Sequence, residues 1–312
     1  MIYQNTKNEH TSNEFSHAIN ELKIGKLLRK SNVTKSCGVS AFEVFQFLLL
    51  LVFQGKNLYR FLNSKHKDQA VSKNTYYRFL NETSYNWHKF LLSLAVKVID
   101  AFDSLTRPER VKVLVLDDSV YSRNRSSSVE LLSRVYDHVS HRFIKGFTML
   151  TLGWSDGYSF VPLAFNLLSS ASEANRYNGI SEEIDKRTNG YKFRKESMLH
   201  KPEAAVLMVK RALAAGIRAD YILMDTWFTN EPLIKELLHL GLNTIGMVKE
   251  LKQTYTYNGR KYRLHELKKF VKFNNAHNVF GSLVVKTKTG IPVKIVFVRN
   301  RNKKIECLYL LS

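Results

Sequence analysis

The sequence predicts an α/β protein: a mixed sheet with helices on its faces, preceded by a helical domain and followed by a β-rich stretch. Three observations predict it. Two aliphatic runs too short for helices, 111–116 and 221–224, each lead into an aspartate, Asp117 and Asp225. Helix signals lie around the second run: Pro202 and Glu203 open an apolar-periodic stretch that Gly216 stops, and 232–240 is closed by Gly241. The first 108 residues carry helical spacing, whereas short β-branched runs broken by turns fill the chain after 248. The order strand, hairpin, helix, strand, helix, strand describes a sheet of mixed direction covered by helices. The expected domains are 1–108, 109–248 and 249–312.

Taken in order, residues 1–12 are polar and read as frayed. From Asn13, Phe15, Ile19, Leu22, Leu27 and Leu28 keep a helical spacing, with basic residues near its end. Ser40 and Glu43 form a capping-box pattern ahead of 42–53, a run apolar enough to be largely buried. Residues 58–62, a basic break at 65–68 and a capped run at 72–80 then give helix, break, helix. The last of these is rich in Lys, Asn, Tyr and Arg and resembles a helix-turn-helix reader; a solvated basic face accounts for the same pattern. Residues 86–105 form one more amphipathic helix, closed by Pro108.

After the first strand, 123–128 is a basic, Ser-rich loop and 129–136 a short helix. Residues 147–154 and 158–167 are strands joined by the hairpin turn Ser155-Asp156-Gly157. Residues 169–199 read as a polar loop. The strand at 244–248 closes the mixed sheet. Beyond it, hairpin signals at Asn258-Gly259 and Thr289-Gly290 separate short apolar runs, and 308–311 is strand-like.

The charge narrows the partners. There are 48 Lys or Arg against 27 Asp or Glu, a formal charge of +21, and from 246 onward 15 Lys or Arg face three Glu. Nucleic acid is the commonest reason for such an excess. An anionic membrane is the rival, but no stretch reaches the ~20 apolar residues of a span. No basic-then-apolar leader opens the chain. Two cysteines, Cys37 and Cys307, exclude a disulfide framework and a cysteine-rich zinc site. The composition reads as that of an intracellular protein.

Phosphodiester cleavage at neutral pH needs a strong nucleophile and relief of charge on the phosphate. Two divalent ions about 3.5–4 Å apart supply both. Magnesium is hard and takes carboxylates, usually one or two plus substrate oxygens. Acids converging from different strands within a basic surface meet that need, so Asp117 and Asp225 are expected to share one metal site. For either aspartate alone, a turn-forming role is the competing reading. Asp118 is the alternative first ligand, but neighbours on a strand point to opposite faces.

Leu116-Asp117-Asp118-Ser119 resembles the first-acid motif of DDE transposases of bacterial insertion sequences: Asp, one residue, then Ser or Thr at the close of the first strand. Residues 221–228, Tyr-Ile-Leu-Met-Asp-Thr-Trp-Phe, resemble the second motif, Asp, two residues and an aromatic. Residues 145–157 are similar to the hairpin of that family. The β-rich stretch is similar to the insertion that the insertion-sequence-four group carries ahead of its third acid. The resemblance implies a ribonuclease-H-like core and two Mg2+ ions held by Asp117 and Asp225, with Mn2+ as a substitute. It implies double-stranded DNA, transposon ends and target, as partner of a homodimer in a synaptic complex. Water would attack at the transposon end, and the freed 3′-hydroxyl would attack the target. The expected place is the bacterial cytoplasm, on the nucleoid. From their charge, Lys73, Arg78, Arg123, Arg125, Lys249, Arg260, Lys261 and Arg263 are the expected DNA contacts.

The family's third acid is a Glu in the pattern Tyr, two residues, Arg, three residues, Glu, six residues, Lys. Tyr257 and Arg260 have the first spacing, but Leu264 stands where the Glu should be, and Glu306 reads as a strand residue. The expectation is a C-terminally shortened transposase, poor in strand transfer. The alternative is a non-catalytic DNA-binding protein that occupies transposon ends or inhibits the full-length enzyme; a structure-directed nuclease of the same fold is a third reading. Asp156 reads as a turn residue. Trp227 reads as core packing, with base stacking as the alternative. Tyr255 and Tyr257 are strand aromatics able to stack bases, and His138, His141 and His200 read as solvated, the first two near a helix end.

Overall fold

The computed structural model describes residues 14–272, 278–300 and 307–312. Glu306 and the first 13 residues lie outside these described residues. The chain is a mixed α/β structure, an 11-stranded sheet with flanking helices and a helical N-terminal region.

Residues 14–21 are helical, Lys23 turns left-handed (φ 53°), and α1 (Ile24–Lys30) follows, so the spacing of 13–28 belongs to two helices. Ser40 caps α2 (Ala41–Phe53) in both directions. Its hydroxyl accepts the Glu43 N–H at 3.1 Å, and the Glu43 carboxylate accepts the Ser40 N–H at 3.0 Å. α2 buries Ala41, Val44 and Leu51 but leaves Val52 and Phe53 exposed at its end, so it is less buried than its composition implies. α3 (Leu58–Leu62) and α4 (Lys73–Asn81) come next, and Asn86 caps α5 (Trp87–Leu105) by accepting the Lys89 N–H at 2.9 Å. Ile24, Leu28, Val44, Tyr76, Phe79 and Phe90 form the core of this region. α5 then reaches the sheet, where Ala95 and Ile99 join the larger core.

The central elements are β1 (Val113–Ser122), β2 (Ser133–Asp137), β3 (Arg142–Ser155), β4 (Phe160–Leu168), α6 (Asn189–Glu196), α7 (Lys201–Ala214), β5 (Tyr221–Met224), α8 (Glu231–His239) and β6 (Asn243–Val248). β1 runs antiparallel to β3 and parallel to β5; β4 flanks β3, and β6 lies parallel to β5. The order β4-β3-β1-β5-β6 is that of a ribonuclease-H-like sheet. Leu114, Leu116, Ile222 and Met224 are buried and alternate with half-buried neighbours, the period of a pleated strand. Against this core α7 sets Ala204, Ala205 and Ala212, small side chains that let helix and sheet approach closely, with Met208 beside them.

Three local expectations are corrected. Residues 133–137 form a strand rather than part of a helix: Ser133 and Val135 are buried and Arg134 and Tyr136 exposed, a period of two against β3. His138 and His141 therefore sit in the β2–β3 turn, not at a helix end. The 169–199 stretch contains α6, whose low apolar content hides it. Thr188 caps it by accepting the Tyr191 N–H at 3.3 Å. α6 docks on the helical region. The Gly190 N–H donates to the Thr83 carbonyl at 2.7 Å, and Phe193 stacks on His88 at 3.9 Å between centroids. Burial pushes His88 down to about 4, with Glu196 opposing and Arg211 adding to the shift, so its ring is neutral at pH 7.

At the C-terminal side, β7 (Thr254–Tyr257) and β8 (Arg260–Arg263) turn at Asn258-Gly259, whose φ values of 47° and 77° suit a type I′ turn. α9 (Leu264–Leu267), β9 (Val279–Lys286), β10 (Pro292–Arg299) and β11 (Cys307–Leu311) complete the chain. β11 pairs antiparallel with β6, so these strands lengthen the same sheet. The β9–β10 turn returns to the start of α8, where Glu231 accepts the Thr289 N–H at 2.8 Å and hydroxyl at 2.6 Å. Among the described residues no helix is long and apolar enough to cross a membrane.

Candidate active site

The ladder fixes where the two acids lie. The last parallel rung between β1 and β5 is Leu116 opposite Met224. Asp117 and Asp225 are the next residues on the two chains. Each follows a buried residue; Asp117 falls on the opposite face, the one that holds Val113 and Val115, and Asp225 lies one residue past the end of β5, at the start of the turn that follows. Neighbouring strands lie about 4.8 Å apart, so the two backbones stand side by side there. Both aspartates are exposed. Asp117 does not end its strand: antiparallel pairing carries β1 five residues further, with Asp117 opposite Thr151 and Ser122 opposite Gly146. The 14-residue β3 outlasts the four-residue β5, which is why β1 runs on.

Each carboxylate has one oxygen in local use. Asp117 Oδ1 accepts the Asp118 N–H at 2.8 Å. Asp225 Oδ1 accepts the N–H groups of Trp227 and Phe228 at 2.9 and 3.1 Å, and the Asp225 carbonyl accepts the Thr229 hydroxyl at 2.6 Å. Asp225 thus makes the turn that the competing reading assigns to it, and Oδ2 of both residues has no partner among the described residues. Thr229 is buried against Gly246 of β6, the strand that backs this turn.

Asp118 faces the helices. It forms a salt bridge with Lys201 at the start of α7, at 2.9 Å, and the Lys201 ammonium lies 4.4 Å from the Trp227 ring centre. Trp227 is 46% exposed, so it is not core packing. Lys201 is a residue that sequence reasoning misses; its only sign is a basic residue just before the Pro202 helix start. Asp156 holds its hairpin instead of facing the acids. Its carboxylate accepts the Ser159 and Tyr158 N–H groups and pairs with Arg110, and these donors, the Ser159 N–H first, hold it down at about 2.

The eight basic candidates are all exposed and fall in separate places. Arg123 and Arg125 follow β1, with Arg123 six residues beyond Asp117 on a continuing alternation, and Lys249 follows β6 at the edge that carries Asp225. Lys73 and Arg78 lie on α4, while Arg260, Lys261 and Arg263 lie on β8, last in the strand order. Tyr255 is buried and cannot stack a base; Tyr257 packs on Phe270 at 5.1 Å between centroids. Among the described residues, no three His, Cys, Asp or Glu side chains cluster as a metal site.

The arrangement offers two exposed carboxylates in adjacent register, each with one oxygen outside the local hydrogen bonds. Such a pair fits a hard divalent ion that takes its remaining ligands from a phosphate and water. The model of the family described as DDE superfamily endonuclease matches residues 43–260, a span that includes Asp117 and Asp225. No match to this chain is found among curated proteins.

Proposed function

The chain belongs to the DDE superfamily endonucleases, and from that premise we propose that it is a transposase of the insertion-sequence type, acting on double-stranded DNA through Asp117 and Asp225. The observation that carries this reading is the adjacent register of the two exposed acids, each the next residue past the last β1–β5 rung. Their open oxygens would hold Mg2+, or Mn2+ in its place; when bound, such ions activate water and stabilise the leaving oxygen. The protein's own residues position the strand. Arg123, Arg125 and Lys249 flank the acids as phosphate contacts, and α4 presents Lys73 and Arg78 for the duplex beyond, with Arg260, Lys261 and Arg263 on a further basic surface. The working form is a homodimer that pairs two transposon ends in the bacterial cytoplasm.

A second reading, a non-catalytic binder of transposon ends, is favoured by the third acid: Leu264, where the family's spacing puts a Glu, is buried at the start of α9. The two readings part on one assay. Supercoiled plasmid is incubated with the purified chain in MgCl2 or MnCl2, and in parallel with EDTA. The proposal expects open-circular product with either metal and none with EDTA. Salt-sensitive DNA binding with no metal-dependent nicking would establish the non-catalytic reading instead.

A further inference from the structure

We infer that the cavity beside Tyr121 is a subsite for an unpaired nucleotide of the strand whose phosphate reaches Asp117, an inference that rests on the DNA-cleaving reading above. β1 continues past the acid with strict alternation, so Ser119, Tyr121 and Arg123 follow Asp117 on the same exposed face. Four residues of strand put Tyr121 about 13 Å from Asp117. That is about four steps of DNA rise, close enough for one bound strand to touch both.

At that point the sheet opens into a cavity of about 380 Å3, the size of a small-ligand site. Phe147 and Leu167 supply an apolar surface, Tyr121 an aromatic one, and Arg123 and Arg194 the basic groups. The Arg123 guanidinium lies 4.3 Å from the Tyr121 ring centre and hydrogen-bonds its hydroxyl, which holds the ring in place. Arg194 is fixed by Glu130 at 2.6 Å. Arg123 covers one face of the Tyr121 ring and Glu130 neutralises Arg194, so a nucleobase would stack on the other ring face beside the apolar lining, with Arg123 at hand for its phosphate. Every base has a π face, so stacking tolerates any sequence. Base-paired DNA cannot use such a cavity, because its bases are stacked inside the duplex.

The test measures binding in EDTA, so that no cleavage intervenes. Fluorescence anisotropy at fixed salt compares a 20-nucleotide oligothymidine with a blunt 20-base-pair duplex. Tyr121→Ala is expected to weaken oligothymidine binding about tenfold or more, with the duplex unchanged within twofold. Tyr121→Leu keeps apolar bulk for folding but lacks the π face, and it is expected to show the same selective loss. Tyr121→Phe, which keeps the ring, should stay within about threefold of the wild type. Equal losses on both DNAs, or no loss on either, would overturn the subsite. A wild type that fails to nick plasmid, yet shows the selective loss, would remove the nuclease reading and leave the unpaired-strand site standing.

Discussion

Replacing Asp117 with alanine is expected to reduce metal-dependent plasmid nicking at least about a thousandfold, with DNA affinity within about twofold of the wild type. A thousandfold is about 4 kcal/mol of barrier, within what a metal-bound nucleophile and a stabilised leaving oxygen supply together. The fold has little to lose. Asp117 is exposed, its one hydrogen bond is to its own neighbour's N–H, and β1 is held on both sides by β3 and β5. In the proposed reading, binding draws on the whole chain's +21 excess, of which α4, the β1 loop and β8 hold only part, so removing one acid should leave it intact or slightly strengthen it. The contrast with Asp118→Ala is informative. Asp118 is tied to Lys201 on the helix face, so its loss should unsettle the start of α7 without abolishing nicking. Equal loss of nicking in both variants would place the first acid elsewhere.

Gly246→Ala is expected to destabilise the protein by about 2–4 kcal/mol, read as the shift in chemical denaturation. Two effects compete. Alanine in a strand gains back about 0.4–1 kcal/mol by restricting the unfolded chain. Against that, a Cβ at position 246 would lie 2.1 Å from the Thr229 hydroxyl oxygen and 2.9 Å from its methyl. Overfilling a packed site costs about 1–3 kcal/mol, and losing the buried Thr229 hydrogen bond adds about 1–3 more. Neither side can yield easily: Gly246 is paired to Met224 on one side and Leu311 on the other, and Thr229 is anchored to the Asp225 carbonyl. The clash therefore falls on the turn that holds the second acid, and nicking should fall with stability. Adding Thr229→Ala removes both offending atoms. The double variant should be more stable than the sum of the single effects predicts, by about 1 kcal/mol or more. Strict additivity would show that the two residues do not collide.

The parts of the fold legible in the sequence are those set by local chemistry. Ser40 with Glu43, Asn258-Gly259, Pro202 with Gly216, and the aliphatic runs ahead of both aspartates each state their structure within a few residues. What escaped is set by partners far along the chain. The 129–136 segment has helical spacing at Leu131, Leu132 and Val135 but becomes β2, because β3 presents it with a free edge. α6 is too polar to read as a helix; its contacts include Thr83, Ser84 and His88, about a hundred positions away in the chain. The true length of β1 depends on β3, and with it the placement of Tyr121 and Arg123 on the acid face. At the candidate site, the neighbouring position of Asp117 and Asp225 is legible because each follows its own aliphatic run. Lys201 and the Tyr121 cavity are not, since each is assembled from segments that only the folded sheet brings together.

The proposed chemistry requires Asp117 and Asp225 to share one cation. Anomalous diffraction from crystals soaked in MnCl2 reads this directly. The expected result is a manganese peak about 2.1 Å from a carboxylate oxygen of Asp117 and from one of Asp225, lost in crystals of Asp225→Ala. A peak that contacts neither residue, or one that survives the substitution unchanged, would contradict it.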